Sequence, residues 1–121
     1  MTERIEARLV YDTKVQPLSP GVRAVVQRAR RVLYAADETE LVLQIAPDRQ
    51  VDRLKLAGQV LDEGMPIEGA AVALHGPAAG QVQRETDEDG EFLIPSLAKG
   101  EYCLEIGTRA GLLSVTPLDI E

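Results

Sequence analysis

Cysteine occurs once in these 121 residues, histidine once and tryptophan not at all. Cys103 alone has no partner for an intrachain disulfide, so the fold needs no oxidising compartment. One histidine (His75) and one cysteine fall short of the several thiolate and imidazole ligands of a zinc site. The aromatic residues are only Tyr11, Tyr34, Phe92 and Tyr102, too few for a surface on which bases or sugars would stack. No apolar run approaches the ~18 residues of a membrane span. The opening Met-Thr-Glu-Arg-Ile-Glu-Ala-Arg is charged where a signal peptide would be apolar, so the chain reads as cytoplasmic. No serine stands in a Gly-x-Ser-x-Gly elbow, and P-loop, dinucleotide and paired-carboxylate patterns are lacking. The expectation is a protein that is not an enzyme and carries no cofactor or metal.

What is there is an ordinary globular composition, 45% hydrophobic and 27% charged, at a length suited to one domain. The net charge of −7 is unevenly placed. Residues 1–60 hold ten Lys/Arg against eight Asp/Glu, whereas residues 61–121 hold three against twelve. An acidic second half repels phosphate backbones, so neither a nucleic acid nor a membrane is the expected partner. The first half carries a basic cluster, Arg23, Arg28, Arg30 and Arg31, which reads either as a site for an acidic-surfaced protein or as a solvated face.

Along the chain, Ala7 to Asp12 is a short β-prone run closed by Pro17, Pro20 and Gly21. Val22, Val25, Val26 and Ala29 recur at helical spacing, which predicts a short helix over 22–30 running into a strand over 31–36. Residues 31–36 are also a good strand in their own right, and residues 40–46 follow as another. Leu54, Leu56 and Val60 alternate with Lys55 and Gln59, and Val72 and Leu74 alternate with His75. Further strands are predicted over 81–86, 91–94, 101–106 and 112–120, the last broken near Pro117 and therefore suited to an edge. Six or more strands joined by short turns indicate a sandwich or barrel.

The order Gly58-x-Val60-x-Asp62-x-Gly64-x-Pro66-Ile67-x-Gly69-Ala70-x-Val72-x-Leu74 resembles the first half of the carboxypeptidase regulatory-like family. Thr86-Asp87-x-x-Gly90-x-Phe92-x-Ile94-x-x-Leu97-x-x-Gly100-x-Tyr102-x-Leu104 resembles its second half. The resemblance covers residues 54–107 and implies an all-β, transthyretin-like antiparallel Greek-key sandwich over 40–121, with residues 1–39 as an N-terminal extension holding strands and room for one short helix. Independently of the family, glycines at 64, 69, 90 and 100 suit turns that need positive φ. Asp62 and Asp87 suit carboxylates that bond backbone N–H groups two residues on. Tyr102 resembles a tyrosine corner, its ring buried and its hydroxyl on turn backbone.

The family pattern carries no catalytic residues. Residues 1–39 are similar, in arrangement and a few positions, to the leading segment of small bacterial proteins encoded beside extracytoplasmic-function sigma factors. That likeness implies an accessory or regulatory role. His75 falls on an outward parity, and Cys103 has no cationic sequence neighbour that would activate it. In the run 85–91, aligning Gly90 with the glycine of a calcium loop places Glu85, Asp87 and Asp89 correctly but puts Ser96 where a bidentate Glu is required, so a hairpin turn is the reading.

The function expected is a regulatory protein-interaction module, with Arg23, Arg28, Arg30 and Arg31 as the partner-binding residues. Changing all four to alanine is expected to leave stability within about 1 kcal/mol. The alternatives are an extracellular carbohydrate-binding or adhesion module and a structural module that oligomerises by sheet-edge pairing.

Overall fold

The computed structural model describes residues 4–13, 30–49, 52–76, 80–108 and 111–120. Their strands are β1 (Arg4–Glu6), β2 (Arg8–Asp12), β3 (Arg30–Ala36), β4 (Thr39–Pro47), β5 (Arg53–Asp62), β6 (Met65–Pro66), β7 (Ala71–Gly76), β8 (Gly80–Glu85), β9 (Glu91–Ala98), β10 (Gly100–Thr108) and β11 (Gly111–Ile120). No helix occurs among the described residues, and so none there is long and apolar enough to cross a membrane.

The strands form two sheets. The first runs β1-β11-β10-β7-β8, and the second runs β2-β3-β4-β5, with β9 along most of the far side of β5 and β6 at its end. All pairings are antiparallel except that of β1 with β11. The two sheets share one apolar core, so the fold is an all-β sandwich.

Alternation along each strand builds that core, because successive side chains leave a strand on opposite faces. Leu54, Leu56 and Val60 of β5 are buried, as are Val72 and Leu74 of β7, Phe92 and Ile94 of β9, and Leu104 and Ile106 of β10. Glycine stands at position 58 because Phe92 packs there: a Cβ at 58 would come within 2.3 Å of the ring. The Tyr102 ring is buried, and its hydroxyl donates to the Ala98 carbonyl at 2.8 Å, the geometry of a tyrosine corner.

Two local expectations change, and a third falls outside the described residues. The strand from 112 does not break at Pro117 or lie at a sheet edge; β11 continues to Ile120 between β10 and β1. The proline is accommodated because β1 pairs only with Leu112–Ser114, and because Thr116 and Pro117 together face the single residue Cys103, a bulge in β11 itself. β9 likewise runs past residue 94 to Ala98 through Pro95, with Ser96 at φ 58. The helix expected over 22–30 falls on residues outside the described set, apart from Arg30, which begins β3.

The leading strands are built into both sheets. β1 pairs with β11 in the first, and one residue later β2 pairs with β3 in the second. Ala7 makes the crossing, its N–H donating to the Ser114 carbonyl at 2.9 Å.

Candidate functional site

The four arginines singled out by sequence do not form one described patch. Arg23 and Arg28 lie outside the described residues. Arg30 and Arg31 are neighbours on β3 and so point to opposite sides of their sheet. The Arg30 side chain is only 15% exposed and grips Asp12, itself 6% exposed, through Nε–Oδ1 at 2.9 Å and Nη2–Oδ2 at 2.6 Å. Its Nη1 also donates to the Asp119 carbonyl at 2.6 Å, tying β3 of one sheet to β11 of the other. The bond to Asp12 raises the Arg30 pKa, outweighing the burial that would lower it. Arg30 is therefore a clamp inside the fold. Of the pair, only Arg31 is exposed, and its backbone N–H bonds Thr13 Oγ1 at 3.0 Å.

His75 stands next to the end of β7 with its side chain 40% exposed, on the outward parity expected of it. On the outer face of the first sheet its Nε2 lies 2.9 Å from Glu105 Oε1, and Arg4 Nη2 lies 2.7 Å from Glu105 Oε2. The Arg4–Glu105 pair spans β11, because Arg4 sits on β1 and Glu105 on β10. Beneath it Ser114 is buried, and its hydroxyl has no hydrogen-bond partner among the described residues. An acid–base dyad acts in nucleophilic catalysis only when it holds the nucleophile's proton. Among the described residues Ser114 makes no such bond to His75 or Glu105.

The stronger convergence lies at one end of the sandwich. The connections at 37–38, 62–64, 67–70 and 86–90 gather at one end, as the pairings of Thr39 with Asp62, Asp62 with Met65 and Ala71 with Glu85 show. Backbone bonds weld them together. Glu63 N donates to Glu38 O at 2.9 Å, Ile67 N to Val60 O at 3.0 Å, Val60 N to Gly90 O at 2.9 Å and Gly69 N to Thr86 O at 2.9 Å. Thr86 adds its buried hydroxyl, which accepts from Ala70 N at 2.8 Å and donates to Ile67 O at 2.6 Å. Gly90 has φ +73, and a Cβ there would come 2.6 Å from the Val60 carbonyl, so only glycine fits.

These connections carry Asp37 and Glu38 in the first, Asp62 and Glu63 in the second, Glu68 in the third and Asp87, Glu88 and Asp89 in the fourth. That is eight carboxylates with no Lys or Arg among them. Arg109 lies outside the described residues. Nearby Arg4 is held by Glu105, and Arg84 by the carbonyls of Leu93 and Gln83. At the opposite end the described connections hold Asp48, Arg49, Asp52 and Lys99, two of each sign.

The carboxylates of this acidic end press on one another. Glu38 has its pKa raised, first by a hydrogen bond shared with the Glu63 carboxyl, then by desolvation, then by the charges of Asp62 and Asp37. Asp87 uses Oδ1 to accept the N–H groups of Asp89 and Glu91, both at 2.9 Å, as expected of a hairpin aspartate. Its ligand atom lies within 4.8 Å of those of Asp89 and Glu91, but all three residues are exposed and the bonds they make are those of the turn. Asp62 departs from expectation. It makes no bond to its own turn among the described residues, and instead it lines two hollows of ≈ 290 and ≈ 320 Å³ together with Thr39 and Thr108.

This end of the molecule was missed by sequence reasoning. The signal available was the excess of acid after residue 60; what it lacked was the topology that gathers four separate turns. Compared with protein-family models, curated proteins and solved structures, the chain finds no match.

Proposed function

We propose that the chain is a non-enzymatic protein-interaction module on a transthyretin-like sandwich, and that its acidic end docks a basic surface of another protein. The observation that carries this reading is the gathering of eight carboxylates without a cation in four welded connections. Like charges held together raise the potential over that end, steer a cationic partner and repel phosphate and anionic lipid. The basic cluster moves to a secondary place, since Arg30 is engaged within the fold.

The regulatory-like family reading is supported by positive φ at Gly64, Gly69 and Gly90 and by the Tyr102 corner. The accessory role in bacterial signalling rests separately, on the likeness of residues 1–39 to small proteins encoded beside sigma factors. A synthetic peptide of alternating glycine and arginine tests the docking surface. It is expected to bind the full chain with a steep loss of affinity on adding salt. A variant with Glu38, Glu63, Glu88 and Asp89 changed to their amides is expected to bind about tenfold more weakly, at roughly 0.3 kcal/mol per screened surface charge. Equal binding by that variant eliminates the acidic end as the docking surface.

One observation favours a second reading, in which two copies pair at a sheet edge. β2 is an edge strand and leaves Leu9 and Val10, adjacent in sequence, 50% and 47% exposed. Light scattering would then give a dimer mass that Val10→Lys converts to a monomer.

A further inference from the structure

We propose that the hollow between Asp62 and Glu68 is a seat for one lysine or arginine side chain of the docked partner, an inference that rests on the acidic-end reading above. The hollow of ≈ 290 Å³ opens where the two sheets part at that end, with Thr39 of β4 and Thr108 of β10 at its base. Met65, Pro66 and Ile67 supply an aliphatic wall, and Asp62 and Glu68 supply the carboxylates. An apolar wall leading to anionic groups suits a side chain with a methylene stem and a cationic head.

Two observations independent of the negative charge point to a ligand. Thr39 is 93% buried by the complement of its 7% exposure, yet among the described residues its hydroxyl has no hydrogen-bond partner. Thr108, across the hollow, does have one, donating to the Gly111 carbonyl at 2.9 Å. Thr39 lines the hollow, so its hydroxyl offers acceptor capacity that an ammonium or guanidinium group would use. The second observation is Met65, which is 67% exposed, the most exposed large apolar side chain among the described residues. Standing at the mouth of the hollow, it would be covered by the stem of an incoming side chain.

The choice of a basic side chain over a metal ion follows from the same geometry. Among the described residues only Asp87, Asp89 and Glu91 bring three ligand atoms within 4.8 Å, and Asp62 and Glu68 are not in that group. Two carboxylates beside an aliphatic wall suit an extended organic cation better than a metal ion that needs six or more oxygen ligands.

The test is a titration of the isotope-labelled full chain, followed by backbone amide NMR, with three blocked amino-acid amides: N-acetyl-argininamide, N-acetyl-lysinamide and the uncharged isostere N-acetyl-citrullinamide. Saturable shifts centred on Thr39, Asp62, Ile67 and Thr108 are expected with the arginine or the lysine compound, whichever the seat prefers. Citrulline is expected to bind about tenfold more weakly, and Asp62→Asn is expected to lose a similar factor, the worth of one charge-assisted hydrogen bond. Thr39→Val keeps the shape, leaves the spectrum folded and weakens binding severalfold.

Shifts spread evenly over all four connections, or equal binding of citrulline, would overturn the seat. The glycine–arginine peptide separates the two levels. If it still binds the acidic end and Asp62→Asn leaves its affinity unchanged, the seat fails while the docking surface stands. If it does not bind at all, both fail.

Discussion

The two ends of the sandwich tie their strand connections together with different chemistry. At the end where β3 begins, charges are matched within the chain: Arg30 holds Asp12 and the Asp119 carbonyl, and the Asp48 carboxylate takes the Ser96 N–H at 2.7 Å. At the other end the connections are joined by backbone bonds, a threonine hydroxyl and a glycine that no other residue could replace. There the carboxylates, apart from Asp87, play little part in holding the turns. A charge used by its own fold is unavailable to a partner, whereas one held beside like charges is a standing field. The difference separates side chains that build the molecule from those that face outward for something else.

The largest expected effect tests the first half of that contrast. Arg30→Ala removes one member of a mostly buried pair and leaves Asp12 without its bidentate partner. Its cost is expected to be about 3 kcal/mol, read as a shift in the urea midpoint, in place of the small loss expected of an exposed arginine. A change below about 1 kcal/mol would return Arg30 to the surface patch. Next comes Thr86→Val at the acidic end. Two buried hydrogen bonds are lost and the Ala70 N–H is left unsatisfied, so a loss of about 1–3 kcal/mol is expected from the same measurement.

The smallest effects carry opposite signs. Asp48 has its pKa lowered, first by the Arg49 N–H and then by the Ser96 N–H. Its contribution is present above the ordinary carboxylate range and is lost as pH falls through its lowered folded value, so Asp48→Asn should lower the melting temperature at pH 7 and converge with the parent in acid. Glu38 is the reverse. Its raised pKa means the folded state holds the proton more tightly, so ionisation at neutral pH works against the fold. Glu38→Gln should therefore raise the melting temperature slightly at pH 7, with the gain fading below the ordinary glutamate range. A melting temperature lowered by Glu38→Gln would show that the acidic end is held by its charges after all.

Much of the architecture was legible because it depends on short-range pattern. The inward parity of Leu54, Leu56, Val60, Val72 and Leu74 follows from alternation within one strand, and the Tyr102 corner closes over four residues to Ala98. The contacts that decide which charges are used were not legible. Arg30 finds Asp12 from 18 positions away and Asp119 from 89, and neither distance leaves a local trace. β1 escaped notice because Arg-Ile-Glu is three residues long and largely charged, and it becomes a strand only by lying against β11. The acidic end was visible as composition but not as a place, since its carboxylates are scattered between residues 37 and 89.

The crossing at Ala7 bears on how the molecule comes apart. With β1 in one sheet and β2 in the other, a single residue intervenes between them, and Arg30 adds a second tie from β3 to β11. Neither sheet has a seam along which it could open while the other stays closed. Backbone amides at the centres of both sheets should therefore exchange with solvent deuterium at one common slow rate, as a single cooperative unit. Cutting the Arg30 tie should speed exchange in the two sheets together.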